Sequence, residues 1–197
     1  ILEKHDKPGG YVSSFTRNGY TFDSAIFHLT DMGEDQTISQ FIRFWGGKVN
    51  AIKIRYKFRY FIGDKEYIID SSNVEEDLIK YFPEKASAIR KFFSISKRMT
   101  DETIRGGPPK PPYEMNTIEK ISFGITSVFK RRTFLRYGSE HSVRFLESLF
   151  SDKALASIIW GYYPIHSLVF SAYAFGWGYY LKRDQNYYPE GGLQTIP

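Results

Sequence analysis

Apolar and polar positions alternate most regularly over residues 52–60, where Ile52, Ile54, Tyr56, Phe58 and Tyr60 interleave with Lys53, Arg55, Lys57 and Arg59. A period of two sends successive side chains to opposite faces, so this stretch predicts one strand with an apolar and a cationic face. Gly63-Asp64 turns it back into Glu66-Tyr67-Ile68-Ile69, a hairpin. Upstream, Gly19 to Phe22 predicts a short strand. Ile38, Phe41, Ile42 and Trp45 recur at three- and four-residue steps and predict a helix over 31–47, stopped by Gly46-Gly47.

Beyond the hairpin the period becomes helical. Ser72 with Glu75 reads as a capping box for a helix running through Phe82. Pro83 restarts the chain as a second helix, with Ile89, Phe92, Phe93 and Met99 on its buried side. Gly106-Gly107-Pro108-Pro109-Lys110-Pro111-Pro112 fits neither helix nor central strand and predicts an exposed loop between two helical layers. Ile118, Ile121, Ile125 and Val128 then predict a helix ending near Lys130-Arg131-Arg132. Val143, Leu146, Leu149 and Phe150 mark another, and Leu155, Ile158 and Ile159 a third. There is no internal repeat.

Residues 154–181 contain no Asp, Glu, Lys or Arg. Gly161, Pro164, His166, Gly176 and Gly178 interrupt the run and its tyrosines are scattered, which argues against a bilayer span. Two readings stand for a helix from Ser167 to Tyr180: a buried core helix, or one wall of a long apolar tunnel lined by Tyr173, Phe175 and Trp177. A monotopic membrane contact is compatible with either.

Composition narrows the choice of chemistry. Of the 197 residues 18% are aromatic, which suits an aromatic-rich core or a wall lining a large apolar ligand. The absence of cysteine excludes disulfides, thiolate chemistry and Cys-based zinc sites. The four histidines are too dispersed to suggest a metal site. Net charge is +5, and no recognisable nucleic-acid motif accompanies the basic residues. They read as a solvated face or as a contact with an anionic membrane surface. With no basic-then-apolar leader pattern, a cytoplasmic location is expected.

The candidate chemistry lies at the two ends. Ile1-Leu2 leads into Glu3 as at the end of a buried strand, where an acidic side chain is placed to accept hydrogen bonds from a ribose. Gly9-Gly10 lets backbone approach a ligand closely, because no Cβ intervenes. No Gly-x-Gly-x-x-Gly occurs, and residue 1 is not Met, so the chain reads as a piece of a larger flavoprotein.

The opening run from Glu3 through Pro8-Gly9-Gly10 to Phe15, followed by Gly19-Tyr20-Thr21-Phe22-Asp23, resembles the phytoene desaturase and carotenoid isomerase family of FAD-dependent oxidoreductases. Tyr188-Pro189-Glu190-Gly191-Gly192-Leu193-Gln194-Thr195 resembles that family's second glycine-pair loop. The resemblance implies an α+β fold, part of an FAD/NAD(P)-binding Rossmann-like α/β flavoprotein with an inserted mixed sheet-and-helix substrate domain. It divides the chain into a partial FAD-binding segment (1–30), the substrate domain (31–186) and a second FAD-domain loop (187–197). Glu3, Gly9, Gly10, Asp23, Gly191 and Gly192 are its implied cofactor-binding residues, with His28 the candidate acid–base group. Phe27 joins Tyr173, Phe175 and Trp177 as substrate lining. Tyr11 departs from the pattern, since many relatives carry Arg there.

The implied activity is desaturation, saturation or isomerisation of a long isoprenoid or carotenoid polyene, with FAD as cofactor; the basic residues beside an apolar substrate are what would fit a peripheral membrane contact. Two other classes fit parts of the pattern. One is a non-catalytic prenyl-binding module of the Rab escort and GDP-dissociation-inhibitor type; the other is an amine-oxidase-like flavoenzyme with a small substrate.

Overall fold

The computed structural model describes residues 4, 7–25, 28–108, 110–162, 170, 174, 176–178 and 186–196. Its strands in chain order are β1 Ser14–Arg17, β2 Tyr20–Asp23, β3 Ala51–Ile54, β4 Lys57–Ile62, β5 Lys65–Asp70 and β6 Asn186–Pro189. The helices are α1 Thr37–Phe44, α2 Val74–Tyr81, α3 Ala86–Arg105, α4 Thr117–Lys130, α5 Arg132–Tyr137, α6 Ser142–Phe150 and α7 Lys153–Tyr162. Among the described residues the strands form three two-stranded antiparallel sheets, so the chain is α+β. It divides into two compact units, 1–56 with 183–197 and 57–182. The sequence drew its segments at 30/31 and 186/187; β3, which pairs with β6, carries the contact boundary on to residue 56.

In the first unit, β1 and β2 form a hairpin in the register Ser14↔Asp23 to Arg17↔Tyr20. Asn18 and Gly19 turn it with φ of 52° and 82°, a conformation that Asn-Gly adopts readily. The helix predicted over 31–47 begins only at Thr37. Asp31 has φ of 60°, and the Gln36 side chain accepts from the Gly33 amide at 2.7 Å, so a turn occupies the first residues instead. Its end is as expected: Gly46 has φ of 80° and the Gly47 amide donates to the Ile42 carbonyl at 2.9 Å.

The alternating run is two strands, not one. It breaks at Arg55-Tyr56, where β3 ends and goes on to pair with β6 while β4 pairs with β5. Alternation reports extended backbone on both sides of the break and carries no information about partners. The β4–β5 hairpin itself forms as predicted, from Lys57↔Asp70 to Ile62↔Lys65 about Gly63-Asp64.

The second unit is built on α3. Its Ile89, Phe92, Phe93 and Met99 are fully buried, joined by Ile69, Leu78, Leu146, Phe150, Leu155 and Ile159. Phe92 is the hub: its ring centroid lies 5.2 Å from Phe93, 6.0 Å from Phe150, 6.4 Å from Phe170 and 5.8 Å from Trp177. Phe170, Ala174 and Trp177 follow four- and three-residue steps and are all buried; the rest of the helix expected over 167–180 is outside the described residues, Gly176 and Gly178 apart. At Gly178 an added Cβ would collide with the Thr100 hydroxyl and the Ser96 carbonyl, so only glycine admits this approach.

The one capping expectation moves. Ser72 is not a cap; α2 starts after Asn73, and the Ser72 amide donates to Asp70 at 2.8 Å. The capping box forms instead at α4, where the Asn116 amide donates to Glu119 Oε2 at 2.7 Å and the Glu119 amide to Asn116 Oδ1 at 2.9 Å. The glycine–proline stretch is a loop; Arg131 fastens its start by donating to the Gly106 carbonyl at 2.6 and 3.1 Å. Among the described residues no helix is long and apolar enough to cross a membrane.

Candidate functional site

The two ends of the chain meet in the first unit, and Asp23 is where they are joined. As the last residue of β2 it faces Ser14 across the hairpin, whose hydroxyl donates to Asp23 Oδ1 at 2.6 Å. The phenol of Tyr188, on β6, donates to Asp23 Oδ2, and the Leu193 amide donates to Oδ1 at 3.3 Å. Gln194 adds a second tie: its Oε1 accepts from the Ser14 amide at 3.1 Å, and its Nε2 donates to the Pro8 carbonyl at 2.9 Å. One amide side chain thus holds both flanks of the Gly9-Gly10 turn.

These bonds set the electrostatics of the cluster. Burial pushes the Asp23 carboxyl up, but donation from Ser14, Tyr188 and the Leu193 amide outweighs it, and the group stays below its ordinary value. Tyr188 is held above the ordinary phenol value by its bond to Asp23, then by burial and by the carboxylate charge. Asp23 is therefore an ionised anchor whose two oxygens are occupied by the protein itself.

Both glycine pairs have left-handed backbone: φ is 120° at Gly9, 53° at Gly10, 88° at Gly191 and 92° at Gly192. A Cβ built on Gly10 would meet nothing within 4 Å, and one on Gly192 would make only ordinary contact with Tyr188 and Asp23. The Cα of Gly10 thus faces open space, while its carbonyl accepts from the Ser13 hydroxyl at 2.7 Å. A loop of this kind fits the phosphate or ribose portion of a dinucleotide, which is bound by approach of main-chain groups. Tyr11 is exposed beside it.

Of the residues picked out by sequence, Gly9, Gly10, Asp23, Gly191 and Gly192 come together here. His28 is placed near β6 by its chain neighbour. It precedes Leu29, which exchanges backbone hydrogen bonds of 2.8 Å with Tyr187, and its ring lies 5.5 Å from that of Tyr56. Burial lowers the His28 pKa, keeping the imidazole neutral. Trp177 is fully buried edge-on to Phe92 and Phe93, within the packed core of the second unit. Glu3, Phe27, Tyr173 and Phe175 lie outside the described residues. Sequence reasoning assigned no role to Ser14, Tyr188 or Gln194. The only trace of them was that Tyr188 and Gln194 flank the second glycine pair.

No family model matches the chain. It is 25% identical to the all-trans-retinol 13,14-reductases of Macaca fascicularis and Homo sapiens, over its whole length and 34% of theirs. Over 48% of its length it is 30% identical to prolycopene isomerase 2, chloroplastic, of an Oncidium hybrid cultivar, covering 17% of that protein. The chain thus spans about a third of the length of the retinol reductases it matches.

Proposed function

We propose that this chain carries part of the cofactor site of an FAD-dependent oxidoreductase or isomerase of the phytoene dehydrogenase-like kind, acting on a long isoprenoid polyene. The convergence of the Gly9-Gly10 and Gly191-Gly192 turns on Asp23 carries the reading. The similarity to a retinol reductase and a prolycopene isomerase supports the choice of a polyene substrate.

In this reading the main chain at Gly9, Gly10, Gly191 and Gly192 faces the dinucleotide, and Glu3 accepts from a ribose. Asp23 does not touch the ligand. It fixes the spacing of the two turns through Ser14, Tyr188 and Leu193, while Gln194 locks the first turn. When bound, FAD supplies hydride transfer to or from a polyene carbon. The protein's part is binding, orientation and an apolar surround, and His28, kept neutral by burial, is the proposed acid–base group. The protein is proposed to work in the cytoplasm at a membrane surface.

The test is the visible absorption spectrum of the full-length protein purified without added cofactor. Flavin bands that vanish in a Gly10→Val, Gly192→Val variant establish the site. A colourless protein that takes up no added FAD overturns the flavin reading in favour of the prenyl-binding module.

A further inference from the structure

Helix α4 is amphipathic, yet its apolar stripe points away from the protein. Ile118, Ile121, Ile125, Val128 and Phe129 are all more than half exposed. At 3.6 residues per turn they share an arc of roughly 100°, the width by which helices normally face a core. Glu119, Phe123 and Ser127, the partly buried positions, project from the opposite side. Isolated exposed apolar residues are ordinary, but a contiguous stripe marks an interaction surface.

The charges next to α4 indicate what kind of surface would cover it. A cleft of about 350 Å³ between α3 and α5 is lined by Lys91, Ser94, Arg98, Arg132, Arg136 and Tyr137, with Ile95 and Thr133, and no carboxylate lines it. The Arg132 guanidinium sits 6.0 Å from the centre of the Phe129 ring, so the cationic cleft adjoins the apolar stripe directly. Leu135, on α5, extends the exposed apolar area. Nucleic acid would meet the cations but leave the isoleucines wet. An apolar protein partner would take the isoleucines but leave four cations in the cleft without counter-charge.

We infer that α4 is an interfacial helix that docks the protein on an anionic phospholipid surface. The Ile118–Phe129 stripe sinks among the acyl chains, and the Lys91, Arg98, Arg132 and Arg136 cleft receives lipid phosphate headgroups. An interfacial helix lies in the plane of the membrane, with its apolar face just below the headgroups and its cations beside them. At 14 residues α4 would cover about 21 Å of that plane. This docking role rests on the membrane-surface part of the proposed function and is independent of the flavin chemistry.

The experiment measures binding of the full-length protein to vesicles of phosphatidylcholine with and without phosphatidylserine, alongside its flavin spectrum. Binding is expected to the anionic vesicles, weakening in high salt, and falling roughly fivefold for each of Arg132→Gln and Arg136→Gln. Ile121→Asn with Ile125→Asn, both at exposed positions, is expected to weaken it by about tenfold or more. Hydrogen exchange on the unaltered protein gives a second reading, with residues 117–130 gaining protection when anionic vesicles are added. No binding, binding indifferent to these substitutions, or a helix already protected and unchanged by vesicles overturns the proposal. The last result would mean that another part of the protein or a second copy covers the stripe. Flavin retained without vesicle binding sinks the docking proposal alone; vesicle binding without flavin sinks the cofactor reading alone.

Discussion

Residues 57–182 bury Phe92, Phe93, Phe150, Phe170 and Trp177 around one another, whereas residues 1–56 with 183–197 leave Tyr11, Phe15, Phe22, Phe41, Phe44 and Trp45 exposed. The aromatic side chains gathered round α3 are buried, although Phe61, Tyr113 and Phe129 on the surface of the same unit are exposed. In the larger unit, aromatic side chains supply the cohesion. In the smaller one, hydrogen bonds through Asp23 and Gln194 and the left-handed glycines of the two pairs fix the local geometry. A packed core tolerates lost polar contacts and suffers from lost volume; a polar clamp should respond the other way round.

The comparison can be broken most severely at its centre. Phe92→Ala removes the ring packed against Phe93, Phe150, Phe170 and Trp177 and should cost about 3–5 kcal/mol, read as a fall in the denaturant midpoint of the helical unit. A loss under about 1 kcal/mol would show that the core is not organised around Phe92. Gly192→Ala tests the other unit. There is room for the methyl group, so its cost, about 1–3 kcal/mol, comes from backbone conformation alone. It should appear as faster hydrogen exchange at residues 186–196, leaving α3 unchanged.

Smaller and sharper is Tyr188→Phe, which deletes a single donor to Asp23 and should cost about 0.5–1.5 kcal/mol in the clamp. The pH dependence of the clamp follows from the same bond. Asp23 sits below its ordinary 3.8 when folded, so its contribution is present above that value and is lost as pH falls through the folded pKa. Tyr188 sits above its ordinary 10.0, so its contribution is complete below pH 10.0 and is lost as pH rises through the folded pKa. Exchange rates at residues 186–196, measured from acid to alkaline pH, should show a protected plateau between those limits. Tyr188→Phe should lower the plateau and abolish its alkaline edge.

Local elements were legible in the sequence because local rules make them. The Gly63-Asp64 turn between alternating strands specified β4–β5, and the spacing of Ile89, Phe92, Phe93 and Met99 specified the buried face of α3. The glycine pairs were visible as candidates because few other residues tolerate positive φ. The pairing of β3 with β6, and of Asp23 with Tyr188, could not be read in the same way. Each joins residues more than a hundred positions apart, and neither strand alternation nor a single Asp names its partner. The outward face of α4 was hidden for a different reason: helical period identifies an apolar stripe but not which side of the helix the protein occupies. Ser72 was read as a cap on spacing alone, and the backbone geometry places the helix start one residue later, after Asn73.

The bond from Gln194 to Pro8 spans 186 residues, and β3–β6 closes residues 55–185 within it. Closing so long a loop from an unfolded chain loses more entropy than forming the hairpins and helices inside it. Once residues 57–182 have collapsed on α3, the two ends search a much smaller volume for each other. Topology therefore assigns an order of assembly: the helical unit condenses early from short-range contacts, and the clamp that aligns the glycine turns forms late. A nascent chain would acquire its helical core well before its two glycine turns are held side by side.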